Sequence, residues 1–108
     1  EKVVFHCFSG DRTLARTCAD HGWFASFAGP VTFKANEHLR EALLDVPSEL
    51  LLVETDAPFL APLPHRGRPN ASYLVPTTLR AMAEVRGADL TDLCHCVTAA
   101  TRSAFGDW

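Results

Sequence analysis

The run LLLVETDAP, residues 50–58, constrains the fold of this chain more than any other feature. Four consecutive apolar residues are too few for a helix and are typical of a strand buried on both faces of a parallel sheet. Pro58 ends the strand because proline has no N–H to donate to the ladder. Residues two apart on a strand share a face. If the strand continues through Asp56, we therefore expect Glu54 and Asp56 to point the same way at its carboxyl end.

The position of these two carboxylates allows two interpretations. The carboxyl ends of buried parallel strands are where α/β enzymes place their catalytic groups. In the second interpretation, the two carboxylates have no catalytic role and simply lie where the polar end of the strand meets solvent. This stretch alone does not decide between them.

Composition narrows the classes of protein that the chain can represent. A length of 108 residues predicts one small domain, residues 1–108. The formal net charge of −3 gives no electrostatic basis for non-specific binding to nucleic acid, although a local basic rim stays possible. The apolar runs of the sequence are shorter than the length that a helix needs to span a bilayer. Four cysteines at irregular spacing, without a C-x-x-C pair, predict a cytoplasmic protein with free thiols.

Apolar periodicity predicts alternating strands and helices. The predicted strands are residues 2–8, 23–28 and 50–56, and the predicted helices are residues 11–21, 37–46, 73–86 and 91–105. Strict alternation with crossover helices implies parallel strands and an α/β fold. The chain begins almost inside a strand, and three parallel strands would leave unpaired edges. We therefore expect part of a larger barrel or doubly wound sheet.

A long irregular segment, residues 57–70, follows the third strand and contains four prolines and two arginines. Loops of this length in a compact domain are usually functional or disordered. Phe59 and Leu60 argue against disorder because we expect both side chains to be buried.

Four motifs, in this order and at these separations, resemble those of the TatD family. They are His6-Cys7-Phe8-Ser9-Gly10, Ser26-Phe27-Ala28-Gly29 with Thr32-Phe33-Lys34, Glu54-Thr55-Asp56-Ala57-Pro58, and Arg66-Gly67-x-x-Asn70. The resemblance covers nearly the whole chain. It implies a metal-dependent deoxyribonuclease or related hydrolase on a TIM-type (β/α)8 barrel with parallel strands. It also implies that residues 1–108 are the C-terminal portion, with the last three β/α units, and that the N-terminal strands are absent.

The resemblance also implies roles for particular residues. His6 matches a metal-binding histidine of a later strand, and Asp56 matches the last-strand aspartate, which binds metal and can take a proton from the attacking water. An imidazole with a carboxylate suits Zn²⁺ or Mn²⁺, and a carboxylate-dominated site suits Mg²⁺. We expect Glu54 to orient a ligand or the loop, although a structural hydrogen bond would explain it nearly as well.

The substrate expected from the resemblance is DNA or another phosphodiester. The candidates for contacts with phosphate are Arg66, Arg68 and Asn70. A solvated loop would explain the presence of these polar residues equally well. The chain lacks the family's H-x-H pair and its middle-strand glutamate. Two ligands do not complete a catalytic site, so we expect the isolated chain to be nearly inactive without the missing half of the barrel.

Two alternatives stay open at this stage. One is an amidohydrolase that acts on C–N bonds on the same barrel, and the other is a non-catalytic fragment. Cys94-His95-Cys96 has zinc-binding residue types, but neighbouring residues on a helix point in different directions and chelate one ion poorly.

Overall fold

The computed structural model describes residues 2–106 as an α/β fold with a parallel sheet. The strands lie side by side in chain order as β1 (Val4–Phe5), β2 (Phe24–Phe27) and β3 (Leu51–Val53). Both strand pairs are parallel, as the alternation of elements predicted. The helices are α1 (Arg12–His21), α2 (Glu37–Asp45), α3 (Val75–Arg86) and α4 (Leu90–Phe105). Among the described helices, none combines the length and the apolar character that a membrane span requires.

The termini of α1 follow from local sequence. Asp11 Oδ1 accepts a hydrogen bond from the backbone N–H of Leu14 at 3.1 Å, which satisfies one of the helix's unpaired donors. Gly22 ends the helix in the left-handed conformation, with φ of 69°. Asn36 precedes α2 but does not cap it, because its side chain donates instead to Pro30 O.

Helices α1, α2 and α3 cover one face of the sheet. Phe5, Ala25 and Leu51 are neighbours across the three strands and pack into a single apolar cluster with these helices. Apolar burial of this kind contributes about 25 cal/mol per Å² and is the main force that holds the helices on the sheet.

Helix α4 extends from this cluster to the opposite face. Its Leu93 and Val97 join the first cluster, whereas Ala100 packs with Phe24 and Leu52 on the other side of the sheet. Ala100 is 1% exposed, so its small side chain allows the helix to lie close to the strands. The last strand is thereby held from both faces, immediately before its two carboxylates.

Candidate metal centre

His6, Glu54 and Asp56 come together at the carboxyl edge of the sheet. His6 Nδ1 lies 2.8 Å from Glu54 Oε1, and His6 Nε2 lies 4.0 Å from Asp56 Oδ1. The three side chains differ in accessibility: His6 is 71% exposed, Asp56 36% and Glu54 15%. The His6 imidazole thus lies between an inner carboxylate and an outer one and is largely exposed to solvent.

The backbone that places these groups is not a continued strand. The sequence predicted that β3 would run through Asp56, but the strand ends at Val53, and Asp56 adopts a left-handed conformation with φ of 58°. Cys7, directly after His6, is also left-handed with φ of 46°. Aspartate tolerates this region better than most residues, whereas cysteine is strained there. Both carboxylates reach His6 because the chain turns, not because they alternate along a strand.

Glu54 is fixed from two directions. Its Oε2 accepts a hydrogen bond from the backbone N–H of Cys7 at 2.8 Å, which joins the ends of β1 and β3. Its Oε1 is buried and has no hydrogen-bond partner among residues 2–106, although His6 Nδ1 is in close contact with it. A carboxylate oxygen can only accept, so this contact is favourable when Nδ1 carries the proton. The lone pair of His6 is then on Nε2, on the side of Asp56.

The surroundings of Cys7 are unfavourable to a thiolate. Burial, followed by the nearby charges of Glu54 and Asp56, raises the pKa of the Cys7 thiol. The thiol therefore stays protonated near neutral pH and is a poor metal ligand or nucleophile.

The donor chemistry fits part of a divalent metal site. Two ligand atoms that each lie about 2.1 Å from one ion can be at most about 4.2 Å apart. His6 Nε2 and Asp56 Oδ1 satisfy this limit at 4.0 Å. No group of three or more His, Cys, Asp or Glu within residues 2–106 is arranged to hold an ion, so the described chain supplies two donors.

Asn70 lies inside the long loop. It is 6% exposed, and its Nδ2 donates to Thr55 O at 2.6 Å and to Phe59 O at 2.8 Å. Its Oδ1 accepts from the backbone N–H of Ala71. Its amide hydrogens are both in use, which favours a loop-ordering role for Asn70 over a phosphate contact.

The two arginines of the loop differ in their contacts. Arg66 lies over the ring of Phe33, with its guanidinium carbon 3.9 Å from the ring centroid. The Arg68 side chain has no hydrogen bond or ion pair with any described residue. Phe59, which was expected to be buried, is 68% exposed, and Leu60 is 38% exposed, so both expectations were wrong. Polar contacts, among them those of Asn70 and the hydrogen bond from Leu63 N–H to Thr32 Oγ1, help to order this loop, and burial of the Phe59 and Leu60 side chains does not.

Comparison with known proteins identifies the family. The profile described as "TatD related DNase" matches residues 1–106. The chain belongs to the TatD-related DNase family. Among its relatives, an uncharacterized metal-dependent hydrolase TatD of Mycobacterium tuberculosis is 46% identical over 106 residues, covering 98% of this chain and 40% of that protein. The uncharacterized metal-dependent hydrolase YcfH of Escherichia coli K12 is 44% identical over 95 residues, covering 88% and 36%.

Solved structures of TatD proteins share the fold. The TatD homologue YjjV of Escherichia coli superposes with a TM-score of 0.89 at 24% identity, covering 97% of this chain and 40% of that chain. A TatD family hydrolase of Entamoeba histolytica gives a TM-score of 0.84 at 17% identity, covering 98% and 43%. The chain therefore spans about 40% of the length of the TatD relatives it matches. The expected resemblance to TatD proteins and the parallel α/β fold are confirmed.

Proposed function

We propose that this chain is the C-terminal part of a metal-dependent hydrolase that cleaves phosphodiester bonds in DNA. Membership of the TatD-related DNase family supports the reaction class. The observation that carries the proposal is the convergence of His6, Glu54 and Asp56 at one edge of the parallel sheet. Imidazole and carboxylate donors are the types that Zn²⁺, Mn²⁺ and Mg²⁺ accept.

In this proposal each of the three side chains has one role. His6 Nε2 and Asp56 Oδ1 are metal ligands, and Glu54 is a positioning residue that holds the His6 ring and its tautomer. A bound divalent ion would make hydroxide available near neutral pH and offset the charge of the phosphate. Asp56 is accessible to solvent and accepts a proton from the attacking water.

The remaining metal ligands must come from outside residues 2–106, because a catalytic zinc site has at least three protein ligands. We therefore propose that a longer parent protein is the active enzyme and that residues 1–108 alone have little activity. The share of each relative that the chain covers, about 40%, agrees with this division.

The test uses the full-length parent protein and a labelled DNA oligonucleotide, with Mg²⁺, Mn²⁺ or Zn²⁺ added. EDTA should abolish cleavage, and Asp56→Ala should lower kcat by about 10²–10⁴-fold, the range for loss of a general base. Asp20→Ala is the matched control, since Asp20 is exposed on α1. Full cleavage by Asp56→Ala would refute the proposal. Hydrolysis of an amide substrate in place of DNA would favour an amidohydrolase.

A further inference from the structure

The turn that carries Asp56 lies beyond the end of the sheet. Strand β3 ends at Val53, and Asp56 adopts the left-handed conformation, with φ of 58°. A residue with a Cβ keeps this conformation only when the contacts around it impose it. Two hydrogen bonds are internal to the turn, from Phe59 N–H to Asp56 O at 2.9 Å and from Ala57 N–H to Thr55 Oγ1 at 3.2 Å. Neither of them fixes the turn relative to the rest of the fold.

Asn70 holds the backbone on both sides of Asp56. Its Nδ2 donates to Thr55 O, before Asp56, at 2.6 Å, and to Phe59 O, after it, at 2.8 Å. The backbone N–H of Asn70 donates to Pro58 O at 2.9 Å. A side-chain amide has two hydrogens, so one group connects the two sides of the turn and uses both of them.

The orientation of the Asn70 amide is fixed, and the amide is buried. Its Oδ1 accepts the backbone N–H of Ala71 at 2.9 Å. Rotation of the amide by half a turn would place this oxygen against two carbonyl oxygens, which repel it. Asn70 is 6% exposed, so loss of the amide would leave carbonyl groups without a donor in a place that water reaches poorly. These contacts therefore favour one arrangement of the turn.

Resting on the proposed function, we propose that Asn70 is a positioning residue for Asp56. Its amide holds residue 56 in the left-handed conformation and so keeps the Asp56 carboxylate 4.0 Å from His6 Nε2. Without the amide, the turn relaxes towards an ordinary backbone conformation, and the carboxylate moves away from the imidazole. This role is narrower than ordering of the loop, because it acts through one side chain.

The experiment is a double-mutant cycle on metal affinity in the full-length protein. Zn²⁺ affinity is measured by competition with a chromogenic chelator for wild type, Asn70→Ala, Asp56→Ala and the double variant. Asn70→Ala should weaken Zn²⁺ binding about tenfold, the lower end of the range for loss of a group that orients a metal ligand. In the Asp56→Ala background it should have no further effect, because the ligand through which Asn70 acts is gone.

Kinetics on the DNA substrate give a second measurement. At saturating metal, Asn70→Ala should lower kcat and leave KM nearly unchanged, because a positioning residue for Asp56 does not itself contact the substrate. A fall in kcat that is equally large in the Asp56→Ala background would indicate general damage to the protein.

Asn36→Ala is the matched control. Asn36 Nδ2 also donates to a backbone carbonyl, that of Pro30 at 3.1 Å, in the segment that follows β2. Its replacement should leave Zn²⁺ affinity unchanged, whatever it does to urea unfolding. Asn70→Asp is a second variant, for use if Asn70→Ala does not fold. It keeps the shape of the side chain but can donate one hydrogen bond at most, so it should also weaken Zn²⁺ binding.

The inference is overturned if the folded Asn70 variants bind Zn²⁺ as tightly as wild type, or if the losses in the cycle are additive. The two proposals fail differently. Full cleavage by Asp56→Ala would refute the proposed reaction, whatever the Zn²⁺ affinities are. Cleavage that depends on Asp56, together with no coupling between positions 56 and 70, would refute only the positioning role of Asn70.

Discussion

Replacement of Glu54 by glutamine tests whether this residue sets the protonation of His6. The substitution keeps the shape of the side chain, and the amide oxygen can still accept the Cys7 N–H that now bonds at 2.8 Å. The amide nitrogen then occupies the place of Oε1, 2.8 Å from His6 Nδ1. An NH₂ group can only donate, so Nδ1 must become the acceptor and the proton must move to Nε2. The nitrogen that faces Asp56 then has no lone pair for a metal.

The expected effect of Glu54→Gln on metal affinity and activity can be given upper and lower bounds. Replacing a group that orients a metal-binding histidine typically lowers metal affinity or activity about 10–100-fold. This corresponds to about 1.4–2.7 kcal/mol. The fold should be retained, since the hydrogen bond to the Cys7 backbone survives, and unfolding by urea should change little.

The assay for Glu54→Gln combines Zn²⁺ affinity, measured by competition with a chromogenic chelator, with kcat/KM for DNA cleavage by the full-length protein. Both should fall together. Glu49→Gln is the control, because Glu49 is an exposed glutamate that precedes β3. Unchanged metal affinity in Glu54→Gln would show that the contact between Glu54 and His6 does not set the tautomer.

Three further substitutions test how the fold supports this edge of the sheet. In Gly29→Ala, the new Cβ would lie 1.9 Å from Leu60 O, so the loop must move, and both stability and DNA cleavage should fall. In Arg86→Lys, the guanidinium loses part of its hydrogen bonding to Leu43 O in α2 and to Val46 O just after it, both at 2.7 Å. Urea unfolding should therefore show about 1–3 kcal/mol less stability. In Asp45→Asn, the loss of stability on acidification should become shallower. The hydrogen bond from Arg12 holds the pKa of the Asp45 carboxyl below its ordinary value of 3.8, so the stability it contributes is present above that pH and disappears as the pH falls further.

Matched controls separate these effects from general damage. Gly87→Ala also introduces strain, because φ is 62° there, but it meets no neighbouring atom and should spare activity. Arg80→Lys changes an exposed arginine of the same helix as Arg86 and should leave the free energy of unfolding unchanged. The control for Asp45 is the substitution of an exposed carboxylate, Glu49→Gln. The free energy of unfolding of this variant should keep the wild-type pH dependence over roughly pH 2–5, the range in which carboxylates titrate.

Local chemistry made the elements of the fold predictable. Apolar periodicity located all four helices to within two residues, and the short apolar runs located the strands of the parallel sheet. The length of the first strand was overestimated because the chain turns at His6 and Cys7, within the run that was expected to continue as a strand. On α2, helical spacing predicts that Leu44 is buried together with Leu39 and Leu43, but the Leu44 side chain is 50% exposed.

The long loop was harder to predict because its order comes from contacts between distant residues. Nothing local in the sequence indicates that Asn70 bonds to the carbonyls of Thr55 and Phe59, or that this leaves the Phe59 ring in solvent. An aromatic residue between prolines was expected to be buried, on hydrophobicity alone.

The left-handed backbone conformation of Asp56 could not be predicted from the sequence either, since aspartate adopts this conformation only occasionally. Motif resemblance nevertheless selected His6, Glu54 and Asp56, which the fold brings together from strands that are not neighbours in the sheet. Their roles in binding metal remain a prediction.

The most direct test is anomalous diffraction from crystals of the full-length protein soaked in Zn²⁺ or Mn²⁺. The account predicts an anomalous peak about 2.0–2.2 Å from His6 Nε2 and from an Asp56 carboxylate oxygen, with Glu54 against His6 Nδ1. A peak bound elsewhere, with His6 and Asp56 both outside coordination distance, would contradict it.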